Sequence, residues 1–117
     1  MVLIVEDEAD LAHTCERLLR RSGHDVTTAT TRAAGLAALA ANESRLVVCD
    51  VRLPDGDGLE IVRAAKRLNP PVPAIVMTAQ PSAAGRRHAL ESGADAYLTK
   101  PFSVASFTAL VDRALGR

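Results

Sequence analysis

Apolar residues fall along the chain in short uninterrupted runs, and each run stops at a polar residue. Val2-Leu3-Ile4-Val5 stops at Glu6-Asp7, Leu46-Val47-Val48-Cys49 at Asp50, Ala74-Ile75-Val76-Met77 at Thr78, and Ala96-Tyr97-Leu98-Thr99 at Lys100. Such runs, bounded by turn-forming sequence, predict strands buried on both faces, as in a parallel sheet. Residues 24–30, rich in Thr and Val and only weakly alternating, predict one further and more exposed strand. Between the runs the apolar period changes to that of a helix. Leu11, Cys15, Leu18 and Leu19 mark the first, capped by Asp7 or Glu8 and stopped at Gly23. Leu36 and Leu39 anchor an alanine-rich second helix over 31–41, and Ile61, Val62, Ala65 and Leu68 face inward from a third over 59–68. A less apolar fourth helix opens at Gln80-Pro81-Ser82 and runs to about residue 92. Ser103 caps a fifth that carries Phe107, Leu110, Val111, Ala114 and Leu115. Pro and Gly make 51–58 a loop, and Asn69-Pro70-Pro71-Val72-Pro73 bars continued helix.

Five strand-then-helix units predict a parallel sheet covered on both sides by right-handed crossovers. The expected fold is α/β: a flavodoxin-like, doubly wound (βα)5 three-layer sandwich with strand order 2-1-3-4-5, as one domain over residues 1–117. In that order the first and third strands are neighbours at the switch point, where open parallel sheets bind ligands beyond their carboxyl ends. Glu6, Asp7 and Asp50 are therefore expected in one pocket.

Composition narrows the reading. A length of 117 residues suits one core without disulfides. Fourteen basic residues balance fourteen acidic ones, and without a basic excess direct nucleic-acid binding is not expected. No apolar stretch approaches the ~20 residues that span a bilayer, and no signal-like segment precedes the first strand. Cys15 and Cys49 lack metal or redox spacing and lie in apolar contexts, so both are expected as buried free thiols. That suits a reducing, cytoplasmic setting.

The chemistry follows from the strand ends. Three crowded carboxylates repel one another unless a proton or cation intervenes. Mg2+, which takes few carboxylates and keeps waters, suits them. Lys100 brings a point charge and Thr78 a hydroxyl. Together they fit a phosphoryl group carried on Asp50 as nucleophile. No G-x-x-x-x-G-K-[ST] loop cradles a nucleotide. Asp55 and Asp57 read as turn formers or helix caps, and His13, His24 and His88 stand apart from the site. Arg63, Lys66, Arg67, Arg86 and Arg87 read as solvated helix faces.

Val5-Glu6-Asp7-Glu8, Asp50, Leu53-Pro54-Asp55-Gly56-Asp57-Gly58, Thr78-Ala79 and Lys100-Pro101-Phe102, in this order and at these separations, resemble the receiver domain of two-component response regulators. The resemblance covers essentially the whole chain. It implies that Asp50 takes a phosphoryl group from a phosphohistidine on a sensor histidine kinase or histidine phosphotransfer protein. It further implies Mg2+ on Asp7, Asp50 and the backbone carbonyl of Arg52, with Glu6 acting through a water. Lys100 would pair with the phosphoryl oxygens and Thr78 close on them. Tyr97 would then turn inward and remodel the surface of the fourth helix, fifth strand and fifth helix, through which a homodimer would form. The Lys100-Pro101 bond is expected cis. Arg52 and Gln80 fall at the two positions that tune hydrolysis of the acyl phosphate, and a cationic Arg52 is expected to slow it, while Gln80-Pro81 departs from the small or acidic residues often found there. Such a domain catalyses its own phosphorylation and dephosphorylation and turns over no external metabolite. A phosphatase of haloacid-dehalogenase type would need Asp residues two apart after the first strand, where Glu6-Asp7-Glu8 stands, and a degenerate receiver would not keep the full set. A free-standing receiver and the front of a longer regulator both suit this sequence.

Overall fold

The computed structural model describes residues 1–116. Five strands, β1 (Val2–Val5), β2 (Val26–Ala29), β3 (Leu46–Asp50), β4 (Ala74–Thr78) and β5 (Ala96–Thr99), form one parallel sheet in the order β2-β1-β3-β4-β5. Helices α1 (Ala9–Arg21), α2 (Arg32–Ala41), α3 (Leu59–Lys66), α4 (Ala83–Glu91) and α5 (Val104–Ala114) follow the strands in turn. This is the flavodoxin-like order expected from the sequence. Alternate residues of each strand enter opposite cores, because successive side chains leave a strand on opposite faces. Leu3, Val5, Val47, Cys49 and Val76 pack with Leu39, Ile61, Val62 and Ala89 on the α2-α3-α4 side. Val2, Ile4, Val48, Ile75 and Met77 pack with Cys15, Leu19, Phe107 and Val111 on the α1-α5 side. Burial on both faces explains why β1, β3 and β4 are apolar without alternation.

Several local expectations are corrected. Leu68 is 40% exposed rather than inward, since α3 ends at Lys66 and the chain turns ahead of Asn69-Pro70. Residues 24–30 contribute only Val26–Ala29 to the sheet. On α2 the buried positions are Gly35 and Leu39, with Leu36 only half-buried. A β-carbon on Gly35 would lie 2.8 Å from Ile61 Cδ1 and 3.0 Å from Val5 Cγ2, so the missing side chain is what lets α2 settle on β1. Glu8 holds the N-cap position of α1 but makes no side-chain capping bond. The stretch 51–58 is not wholly loop, because Arg52–Leu53 pairs antiparallel with Gly56–Asp57 to make a two-residue ladder closed by Pro54 and Asp55.

Helix starts are otherwise capped as their sequences suggest. Thr31, Ser82 and Ser103 accept from the amides of Ala34, Gly85 and Ser106. Asp57 accepts from Leu59 N at 2.9 Å. The carboxylate of Asp55 reaches across the molecule to accept from Arg32 N at 2.6 Å and Ala33 N at 2.9 Å, the first two amides of α2. Both cysteines are buried and free. Burial, reinforced by the nearby Glu6 charge, pushes the Cys15 thiol up to about 11, and burial with the Asp50 and Asp57 charges pushes Cys49 up to about 12. The Lys100-Pro101 bond is cis, as is Asn69-Pro70. Among the described residues no helix is long and apolar enough to cross a membrane.

Two outcomes are expected from this packing. A β-carbon on Gly58 would meet the Asp50 carbonyl oxygen at 1.8 Å, a backbone atom that cannot swing aside. Gly58→Ala should therefore cost about 3 kcal/mol or more in urea unfolding, and a loss under about 1 kcal/mol would mean that the loop relaxes freely. The second concerns Asp55, whose carboxyl is held below the ordinary aspartate range by the hydrogen bonds from Ala33 and Arg32. A carboxyl lowered by folding adds stability above its unfolded value and loses it as pH falls through its folded value. Asp55→Asn should be less stable than the parent at neutral pH, with the gap closing on acidification below the ordinary aspartate range. Urea midpoints measured against pH check this, and a gap that widens toward acid would refute it.

Candidate functional site

The sheet register brings the polar strand ends together. Val5 pairs with Cys49 and Asp50 with Met77, so Glu6 and Asp50 emerge side by side from neighbouring strands. Glu6 is 0% and Asp50 8% exposed, whereas Asp7 faces solvent. One carboxylate oxygen from each of Glu6, Asp7 and Asp50 lies within 4.8 Å of the others. Lys100, just past the edge strand β5, extends back across β4 and donates to Asp50 Oδ2 at 2.5 Å and to Glu6 Oε1. The second oxygen of each acid is also bound. Asp50 Oδ1 accepts from Arg52 N at 3.1 Å, and Glu6 Oε2 accepts from Glu8 N at 3.1 Å.

These acids, with Glu8, Arg52, Thr78, Gln80 and Lys100, line a cavity of about 310 Å3. Thr78 is buried at its rim, where Oγ1 accepts from Gln80 N at 3.0 Å and the carbonyl oxygen accepts from Lys100 N at 2.7 Å. The Arg52 side chain is exposed beside it. Tyr97 is half-buried and does not line the cavity. Its ring packs on the α2-α3-α4 side, with its hydroxyl 3.4 Å from where a β-carbon on Gly85 would stand.

Charge in the cavity does not balance. Burial pushes the Glu6 carboxyl above its ordinary range, against the hydrogen bonds from Lys100 and Glu8 that favour the carboxylate. Burial would likewise lower Lys100, but its hydrogen bonds to Asp50 and Glu6 outweigh that and hold the ammonium above the usual lysine value. One ammonium thus stands among three carboxyl groups and bonds two of them, Glu6 and Asp50. An oxygen-only donor set with one carboxylate open to solvent is what a small, hard divalent cation requires. Asp7 is the member best placed to hold it, because it is exposed and, alone of the three acids among the described residues, is not ion-paired to Lys100.

The sequence reading placed Glu6, Asp7, Asp50, Arg52, Thr78 and Lys100 here, and all six border the cavity. It missed the Glu8 amide, which anchors Glu6. The signal was available in the two-residue separation, at which an acidic side chain can fold back onto a following backbone N–H. It also missed Gly58, whose reason is a through-space approach of backbone to backbone.

Residues 2–112 match the family model described as the response regulator receiver domain. The transcriptional regulatory protein PrrA of Mycobacterium tuberculosis is 39% identical over 116 residues, which cover 99% of this chain and 50% of PrrA. The KDP operon transcriptional regulatory protein KdpE of Escherichia coli is 38% identical, over 99% of this chain and 51% of KdpE. The chain therefore spans about half the length of these curated relatives. Among solved structures, the CheY-like response regulator receiver domain protein of Methanospirillum hungatei superposes with a TM-score of 0.92 at 30% identity, covering 98% of this chain and 92% of that one. A strand order with its switch point at β1 and β3, an acid-and-lysine cluster at that point, and a family match over nearly every residue converge, and the chain belongs to the receiver-domain family of two-component response regulators.

Proposed function

We propose that residues 1–117 are a phosphorylation-dependent signalling switch in which Asp50 is the phosphoryl acceptor. The observation that carries this reading is the Lys100 ammonium held against buried Asp50 and Glu6 at the mouth of a solvent-facing cavity. The donor is a phosphohistidine on a sensor histidine kinase or histidine phosphotransfer protein. An Asp50 carboxylate oxygen attacks phosphorus in line, the P–N bond breaks, and its electron pair leaves with the imidazole. Lys100 moves from the carboxylate to the transferred phosphoryl oxygens, while the Arg52 amide keeps Asp50 oriented. Asp7, Asp50 and the Arg52 carbonyl would hold Mg2+, with Glu6 acting through a water, and the bound ion would add positive charge near the same oxygens. The chain catalyses its own phosphorylation and dephosphorylation and no other turnover.

The signal leaves the site through Thr78 and Tyr97. Phosphorylation adds about two negative charges, which only a state with Thr78 and Lys100 drawn inward can satisfy, so that state gains population. Tyr97 then leaves its seat beside Gly85 and turns inward, altering the face made by α4, β5 and α5. That face would pair with a second copy, and Leu90 of α4 is 42% exposed. Unpaired buried Cys15 and Cys49 suit a cytoplasmic protein.

With Mg2+ and a small phosphodonor, intact mass should rise by one phosphoryl group in the parent and not in Asp50→Asn, while the Tyr97 ring resonances of the parent shift on adding beryllofluoride. Steady phosphate release from phosphomonoesters would make the chain a phosphatase instead, and unchanged mass would remove the acceptor role. Arg52 stands exposed at the cavity, where its side chain can obstruct an attacking water. Arg52→Ala should shorten the lifetime of the phosphorylated chain, followed by loss of the added mass. A parent half-life of seconds would overturn this shielding.

A further inference from the structure

The segment that links the acceptor to α3 is held at both ends. At its base, Gly58 lies so close to Asp50 that a β-carbon would overlap the Asp50 carbonyl oxygen, and Gly58 N donates to Val51 O at 2.8 Å. Between base and tip runs the ladder Arg52↔Asp57, Leu53↔Gly56. A ladder of two residues cannot hold itself in water. Leu53 secures one strand by burial, at 8% exposure. The tip is secured from outside: Asp55 closes on the first two amides of α2, and Arg32 of the same helix start lies over Gly56 and pairs with Glu60 at 3.1 Å.

Arg52 opens this ladder, and its amide is the hydrogen-bond donor to Asp50 Oδ1. Any slack at the tip is therefore passed to the residue that orients the acceptor. We propose that Asp55 is a positioning residue for the acidic site: by gripping the start of α2 it holds the Arg52 backbone in place for the cation and for Asp50. The grip is charge-assisted, because a carboxylate on two helix N-terminal amides gains from both hydrogen bonds and the helix dipole. Asp55 touches neither the cation nor the phosphoryl group and acts through Arg52. This rests on the Mg2+-dependent acceptor reading given above.

The test is a Mg2+ titration of the intact chain, followed by the amide NMR shifts of Glu6, Asp7 and Arg52, in the parent, Asp55→Ala, Asp55→Asn and Thr31→Ala. Thr31 caps the same end of α2 through Ala34 N and, among the described residues, its side chain shares no hydrogen bond with the hairpin, so its loss reports helix destabilisation. Asp55→Ala should raise the Mg2+ dissociation constant about tenfold, the effect expected when support behind a metal ligand is removed. Asp55→Asn, which keeps one neutral acceptor, should fall between it and the parent, and Thr31→Ala should match the parent in affinity while losing comparable thermal stability. Parent-like affinity in Asp55→Ala, or equal weakening in Thr31→Ala, would overturn the proposal. Should Asp55→Ala not fold, Asp55→Asn against Thr31→Ala is judged by the same criterion. A parent that binds no Mg2+ would instead remove the acceptor reading, which separates the two failures.

Discussion

Lys100 spans three strands of the sheet, and the chemistry of the molecule turns on that reach. Its ammonium draws the side chains of Glu6 from β1 and Asp50 from β3 to one point, although they lie 94 and 50 residues away in sequence. Neither acid could be buried alone. An isolated carboxylate in such a place would be taken up as its protonated form, and breaking a buried ion pair by deleting one partner typically costs ~3–5 kcal/mol. The arrangement is nonetheless not charge-balanced, since Asp7 adds a third carboxyl group at the solvent side. The residual negative charge is what would draw a divalent cation to the site.

Backbone contacts complete what the side chains begin. The amides of Arg52 and Glu8 each bind one acidic oxygen, so Asp50 and Glu6 are oriented by the chain segments that immediately follow them. For Asp50 that segment is pinned on one side by the backbone approach at Gly58 and on the other by α2. Asp50 is thus fixed by contacts at both ends of the segment that follows it. Thr78 is tied similarly, to Gln80 N and Lys100 N.

The opposite holds for α4. Only Ala89 of its residues is buried, and glycine stands in its first turn beside the Tyr97 hydroxyl. Its far end is better tied, by Arg63 Nη1 donating to Ser92 Oγ at 3.0 Å and by Lys66 paired with Asp95 at 2.5 Å. A firmly held Asp50 next to a sparsely packed helix is the arrangement the proposed switch needs, because elements that move are drawn from the less stable parts of a fold.

Much of this architecture was legible in the residue order. Short apolar runs bounded by turn-forming residues read as parallel strands, and the polar residue ending each run marks where that strand leaves the sheet. A doubly wound parallel sheet follows from those two facts with the handedness of crossovers, and taking it in the flavodoxin-like order brings Glu6, Asp7, Asp50 and Lys100 together. What the order could not supply depends on distances between segments far apart in the chain. Leu68 reads as helical core by spacing, yet the turn before Asn69-Pro70 puts it in solvent. Gly35 and Gly58 read as ordinary small residues, and only the packed structure shows the Ile61 and Val5 side chains and the Asp50 carbonyl occupying their missing side chains' space. Asp55 reads as a turn former. Its carboxylate in fact closes on amides 22 and 23 residues earlier, because hydrogen-bond partners are chosen by proximity in space, which local sequence does not encode.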